Sequence, residues 1–163
     1  MWQAIRGWPE KWGRVGLSRK TIKLNYEILS DDFSTAGEAS SNMKKMLIQL
    51  GIKPDIIKRA SISMYEAEIN AVIHADGGEA EVEIDSDKIV IRITDTGPGI
   101  PDIDLAMKEG YSTAPDSVRQ LGFGAGMGLP NIKRYADKLD ISTEIGQGTK
   151  VEIIVNYDGK VLS

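Results

Sequence analysis

Glu66 and Asn70 stand four residues apart within a helical pattern, so their side chains leave the same side of the helix. The neutral amide oxygen of Asn70 suits Mg²⁺, which takes oxygen ligands and keeps waters and substrate phosphates around it. Beside it, the Glu66 carboxylate can serve as a general base on a hydroxyl or water. Asp95 closes a strand pattern and is followed by Gly97-Pro98-Gly99. A carboxylate there can accept a hydrogen bond from an exocyclic amino group such as adenine N6, while the glycines let the backbone pass close under a flat base. Gly122, Gly124, Gly126 and Gly128 recur at every second position. That spacing lets successive N–H groups face an anion, and a helix starting after Gly128 adds its dipole.

Each part has an ordinary alternative. Glu66 and Asn70 can be a solvated helix face, Asp95 can accept from the amides of its own turn, and the glycines can be a linker. Glu68 lies two residues from Glu66 and therefore points elsewhere. His74, two turns after Glu66 on the same face, reads as a packed or hydrogen-bonded histidine that can also respond to pH. The glycine run carries no Gly-Lys-Ser/Thr, so it is not a P-loop, and it misses the G-x-G-x-x-G register of dinucleotide folds. Taken in order, the parts compose a site for ATP with Mg²⁺.

The elements that must hold these residues are legible. Ile22, Leu24, Tyr26 and Ile28 alternate with polar residues and predict a strand. Thr35 with Glu38 predicts a capping box, after which Ala39, Met43, Met46, Leu47 and Leu50 recur at helical spacing. A second helix is expected from Pro54 to about Ala75, with an apolar stripe at Ile57, Ala60, Met64, Ala67 and Ala71 and a polar face at Ser63, Glu66, Asn70 and His74. Ala80–Asp85 and Lys88–Asp95 read as a hairpin. Asp95 shares parity with Ile89, Ile91 and Ile93, so it faces their side of the sheet, where a lone carboxylate needs a partner. Residues 97–128 read as a long, lid-like loop with a short helical piece near 104–109. A helix over 129–138 and two strands, 139–145 and 149–156, complete the chain.

The 163 residues carry 41% hydrophobic and 27% charged side chains, which fits a globular domain over residues 21–163. Residues 1–20 form a basic extension holding all three tryptophans, Trp2, Trp8 and Trp12. It reads either as a docking segment or as a tail that packs on its own domain or stays loose. The net charge of −4 argues against nucleic acid as a partner, and no run is long enough for a membrane span. Zero cysteines exclude a disulfide framework and fit a cytoplasmic protein.

Together these residues resemble the superfamily of gyrase, chaperone, histidine-kinase and mismatch-repair ATPases (GHKL, or Bergerat fold). Glu66-x-x-x-Asn70 is similar to its N box and Asp95-x-Gly97-x-Gly99-Ile100 to its first glycine box. Gly122-Phe123-Gly124-Ala125-Gly126-Met127-Gly128-Leu129 is similar to the second, and Gly146-Gln147-Gly148-Thr149 to the last. Within it, the short chain and the Asn70-Ala71-Val72-Ile73-His74 run resemble small bacterial serine/threonine kinases that act as anti-sigma factors or stressosome switch kinases. Gly128 to Arg134 resembles the switch-kinase (RsbT-type) branch.

The resemblance implies an α+β two-layer sandwich, a mixed β-sheet with helices on one face. ATP would lie between the layers under a lid of about residues 100–128, with Thr149 near the base, Mg²⁺ bridging Asn70 and the phosphates, and Glu66 as catalytic base. The backbone and side chains of Ile100, Met127 and Leu129 would complete the nucleotide contacts. The partner would be a STAS-domain or sigma-factor-like regulatory protein, and a homodimer is a further expectation, with the three tryptophans as candidate contacts. Two other readings are an ATP/ADP-gated binding module with little catalysis and a fold relic that binds no nucleotide. The anti-sigma branch implies an arginine just before the second glycine box. This chain has Gly124 and Ala125 there, and its nearest cations are Arg119, Lys133 and Arg134.

Overall fold

The computed structural model describes residues 21–29, 33–75 and 77–159. The expectations for residues 1–20, and for a dimer through their tryptophans, lie outside them. In chain order the elements are β1 (Ile22–Ile28), α1 (Glu38–Gln49), α2 (Pro54–His74), β2 (Gly78–Ile84), β3 (Lys88–Asp95), α3 (Ile103–Ala106), α4 (Asp116–Gln120), α5 (Gly128–Tyr135), β4 (Lys138–Glu144) and β5 (Gly148–Asn156). The strands form one sheet in the order β1-β2-β3-β5-β4.

The expected two-layer α+β architecture stands, with one correction. The sheet is not mixed: all four strand pairings are antiparallel. Two helices rather than one separate β1 from β2, so the chain returns reversed. The lid and α5 then carry the chain from β3 to β4, and β5 slots between those two strands and runs against both.

The period-2 pattern decides which face the helices cover. Leu24 and Ile28 of β1, Ala80, Val82 and Ile84 of β2, Ile89, Ile91 and Ile93 of β3, and Val151, Ile153 and Val155 of β5 are buried in one core with the helices. The opposite face carries a ladder of ion pairs, Lys23–Glu83, Glu83–Arg92 and Arg92–Glu152, at 3.6, 3.3 and 2.7 Å. Half-exposed pairs of this kind contribute little stability each, so the sheet is held from its apolar side.

Helix α2 is the spine. Pro54 opens it, its missing N–H costing nothing in the first turn. Ala60, Met64, Ala67, Ala71 and Val72 are buried against the sheet and α1. Arg59 is buried too, and donates to the carbonyls of Tyr135 and Asn156 at 2.9 and 3.3 Å and to Asp137 Oδ2 at 2.6 Å. One side chain thus pins α2 to the end of α5 and the end of β5. The capping box expected at Thr35 and Glu38 is not what starts α1. The N-cap is Gly37 in a left-handed conformation, and the first amides of the helix are capped from elsewhere. The buried carboxylate of Glu68 on α2 accepts from Gly37 N, Ala39 N and Ser40 N at 3.1, 3.1 and 2.9 Å.

Candidate functional site

The polar face of α2 runs from the interior to the surface. Ser63 is buried, Glu66 and Asn70 are half-buried, and His74 is exposed. The face therefore opens along its length, between the start of α5 at one end and the end of β3 at the other. At the first end, a Cβ placed on Gly128 would lie 3.3 Å from both amide atoms of Asn70 and 3.5 Å from Glu66 Oε2. Only glycine leaves that space empty. The Asn70 amide makes no hydrogen bond among the described residues. A neutral oxygen facing such a space, with a carboxylate beside it, fits a Mg²⁺ ion that draws its other ligands from water and phosphate. No group of three acidic, histidine or cysteine side chains is assembled into a metal cage among the described residues. A single-amide site of this kind needs none.

At the second end, Asp95 faces the helices as its parity requires. Its Oδ1 accepts from Gly97 N at 2.9 Å and from Thr149 N at 3.1 Å. The Gly97 bond is the turn expected as the ordinary alternative, but it uses only one oxygen. Oδ2 has no partner among the described residues and can accept from an amino group. His74 is the neighbouring titratable group. Burial of its inner side pushes its pKa down, and the negative charge of Asp95 pulls it partly back up.

The glycines of the first box are needed for packing within the protein. A Cβ on Gly97 would come within 2.7 Å of Ala75 Cβ, and one on Gly99 within 2.7 Å of the Glu144 carbonyl. They let the loop after β3 press against the end of α2 and the β4–β5 turn. Ile100 N donates to Thr143 Oγ1 at 2.8 Å, and that hydroxyl lies 3.0 Å from Thr149 Oγ1. The first and last glycine boxes are thereby joined around Asp95.

The lid has more local structure than its composition predicts. It contains α3 (103–106, overlapping the expected short piece) and also α4, which carries no apolar stripe to announce it. Gly126 sits at φ 78°, and its carbonyl accepts from Gly110 N at 2.9 Å, closing the base of the lid. Gly124 packs against Ala114, while Gly122 at the tip has open space around it. Phe123 stacks on Phe33, centroids 5.4 Å apart, which ties the lid to the β1–α1 connection. Met127 caps α5 and is exposed, whereas Leu129 is buried in the core. Of the cations near the loop, Arg119 donates to the Ser112 carbonyl at 2.9 Å within the lid. Lys133 and Arg134 are exposed on α5, the Arg134 guanidinium 5.7 Å above the Tyr135 ring.

Two residues of this region were not singled out by sequence. Thr143 continues the core-facing parity of Leu139 and Ile141 on β4, the same signal that marks Asp95. Asn131 donates its Nδ2 to Glu66 Oε1 at 3.0 Å. Its signal was a short polar side chain beside the buried Leu129 and Ile132 of α5. Concavities of about 930 and 320 Å³ lie along β1 and its neighbours β2 and α1. Neither is lined by Glu66, Asn70 or Asp95, and the convergence of polar groups, not cavity size, identifies the site.

Comparison with known proteins agrees with this fold. Residues 57–159 match the family model described as histidine kinase-, DNA gyrase B- and HSP90-like ATPase. The chain is 36% identical over 137 residues to the anti-sigma F factor of Clostridium beijerinckii, covering 80% of this chain and 92% of that one. It is 30% identical over 127 residues to the serine/threonine-protein kinase RsbT of Bacillus subtilis, covering 76% and 87%. A solved structure of the RsbU and RsbW domains of Rv1364c from Mycobacterium tuberculosis superposes with a TM-score of 0.56 at 12% identity, over 87% of this chain and 35% of that one, which is a likeness of fold. No helix among the described residues is long and apolar enough to cross a membrane.

Proposed function

The chain belongs to the family of histidine kinase-, DNA gyrase B- and HSP90-like ATPases, and from that premise we propose that it is an ATP-dependent protein serine/threonine kinase of a bacterial partner-switching system. Its substrate on this reading is a small regulatory protein with a STAS-type fold. The observation that supports it best is the space at Gly128, bounded by Glu66 Oε2 and the Asn70 amide, at one end of the α2 face whose other end meets Asp95.

Asp95 Oδ2 would accept from the purine amino group, with Oδ1 already held by two backbone amides. Thr143 and Thr149 would border the base through their paired hydroxyls. Asn70 would hold Mg²⁺, which when bound neutralises the phosphate oxygens. The start of α5 adds the positive end of its dipole on the phosphate side. Glu66 would take the proton from a Ser or Thr hydroxyl as its oxygen bonds to the γ-phosphorus and the bond to the β,γ-bridging oxygen breaks, releasing ADP. The lid would restrict water, leaving it a slower, competing acceptor.

Incubation with γ-labelled ATP, Mg²⁺ and candidate STAS-domain proteins tests the reading. The wild type should label its partner, and Glu66→Gln should bind ATP without labelling it. Equal labelling by Glu66→Gln would remove Glu66 from its role. A second reading, an ATP/ADP-gated binding module, draws on the Phe33–Phe123 stack, through which a lid moved by nucleotide would alter the β1–α1 surface. Partner affinity that differs between ATP and ADP, with no phosphoprotein formed, would favour it.

A further inference from the structure

We propose that Asn131 is the positioning residue of Glu66, fixing which of its two oxygens receives the proton. The proposal rests on Glu66 acting as the base. A carboxylate only accepts hydrogen bonds, so the amide must present its NH₂ to it, and Asn131 Nδ2 does so to Glu66 Oε1 at 3.0 Å. Glu66 Oε2 is left on the side of Gly128 and the Asn70 amide. The two oxygens are therefore unequal: one is tethered to α5, and the other faces the space where an acceptor hydroxyl would meet the γ-phosphate.

The tether is itself well anchored. Asn131 lies in the first turn of α5, half-buried, and its backbone N–H is bonded to the Met127 carbonyl at 2.9 Å. It thus sits three residues beyond Gly128, where the lid rejoins the core. A long, mobile glutamate side chain loses its rotamer freedom before the reaction rather than during it. Because α5 begins where the lid ends, Glu66 is oriented only while that first turn is formed.

The test is steady-state ATP hydrolysis by the full chain with Mg²⁺, water serving as the acceptor, in the wild type, Asn131→Ala, Asn131→Asp, Glu66→Gln and the Glu66→Gln/Asn131→Ala double variant. Loss of one hydrogen bond to a charged group should lower kcat of Asn131→Ala about 10- to 100-fold, with KM for ATP within about threefold. The double variant should be no slower than Glu66→Gln alone, because a group that acts through another has nothing left to act on. Asn131→Asp, nearly isosteric, replaces the donating NH₂ by an oxygen that cannot donate to the carboxylate, and should lower kcat at least as far as Asn131→Ala with KM for ATP again within about threefold. It carries the same test should alanine loosen the contact between α2 and α5. Wild-type kcat in Asn131→Ala, or a loss that multiplies undiminished onto Glu66→Gln, would overturn the proposal and leave Asn131 a helix–helix tie. Glu66→Gln turning over at the wild-type rate is a separate result, which would overturn the base reading itself.

Discussion

Glu66 and Glu68 are two residues apart on one helix and occupy opposite situations. Glu68 is buried, and its two oxygens take three backbone amides at the start of α1. Glu66 is half-buried, has one oxygen held by Asn131, and turns the other toward Gly128. The first carboxylate is fully committed to the fold; the second is restrained but unfinished. The same contrast separates the two sides of α2. On one, Glu68 is bonded to three amides of α1 inside the protein. On the other, Asn70 and Asp95 keep polar atoms without partners among the described residues, facing an opening. Polar groups positioned but left unsatisfied are the physical mark of a site, since a fold gains nothing from orienting them that way.

Replacing the two carboxylates in parallel would break or sharpen this contrast. The largest effect expected is in Glu66→Gln, a loss of roughly 10²- to 10⁴-fold in phosphoryl transfer, with thermal stability near the wild type. Next is Arg59→Ala, which takes the guanidinium away from Asp137 Oδ2, an oxygen that also accepts from Asn156 N at 2.7 Å. Unpairing a buried ion pair costs about 3–5 kcal/mol, measurable as a shift in the urea midpoint. Glu68→Gln should lose about 1–3 kcal/mol of stability while the folded fraction keeps its turnover. If Glu68→Gln proved stable and inactive, the assignment of the two roles would be reversed.

The smallest effect expected concerns pH. Burial holds the pKa of His74 below its ordinary 6.5, so the unfolded chain binds a proton that the folded chain resists. The neutral ring is tolerated fully above about pH 6.5. Stability should fall as pH drops below that value, until the folded state also takes the proton. His74→Gln should flatten that part of a plot of urea midpoint against pH. An unchanged slope would mean that carboxylates alone set it.

What the sequence revealed and what it hid follow from the range of the interactions. α2, β1 and β3 were legible because periodicity is local, and parity alone turned Asp95 toward the helices. The start of α1 departs from its local pattern because its cap comes from Glu68, about thirty positions away in the chain, rather than from a neighbouring side chain. Asn131 is invisible to local pattern for the same reason, its partner lying 65 residues back. α4 is only five residues long and has no buried side chain, so no apolar spacing could announce it. The antiparallel pairing of β3 with β5 spans the whole lid and α5, which no local pattern encodes.

The central claim is that a purine meets Asp95 while the triphosphate reaches Asn70, and calorimetric titration of Mg·ATP into the wild type and Asp95→Asn tests it most directly. Asparagine keeps an oxygen for Gly97 N and Thr149 N but turns an NH₂ toward the purine amino group. ATP should bind the wild type and bind Asp95→Asn about 10- to 100-fold more weakly, at unchanged thermal stability of the free protein. Equal affinity in the two proteins, or no heat of binding in either, would contradict the account.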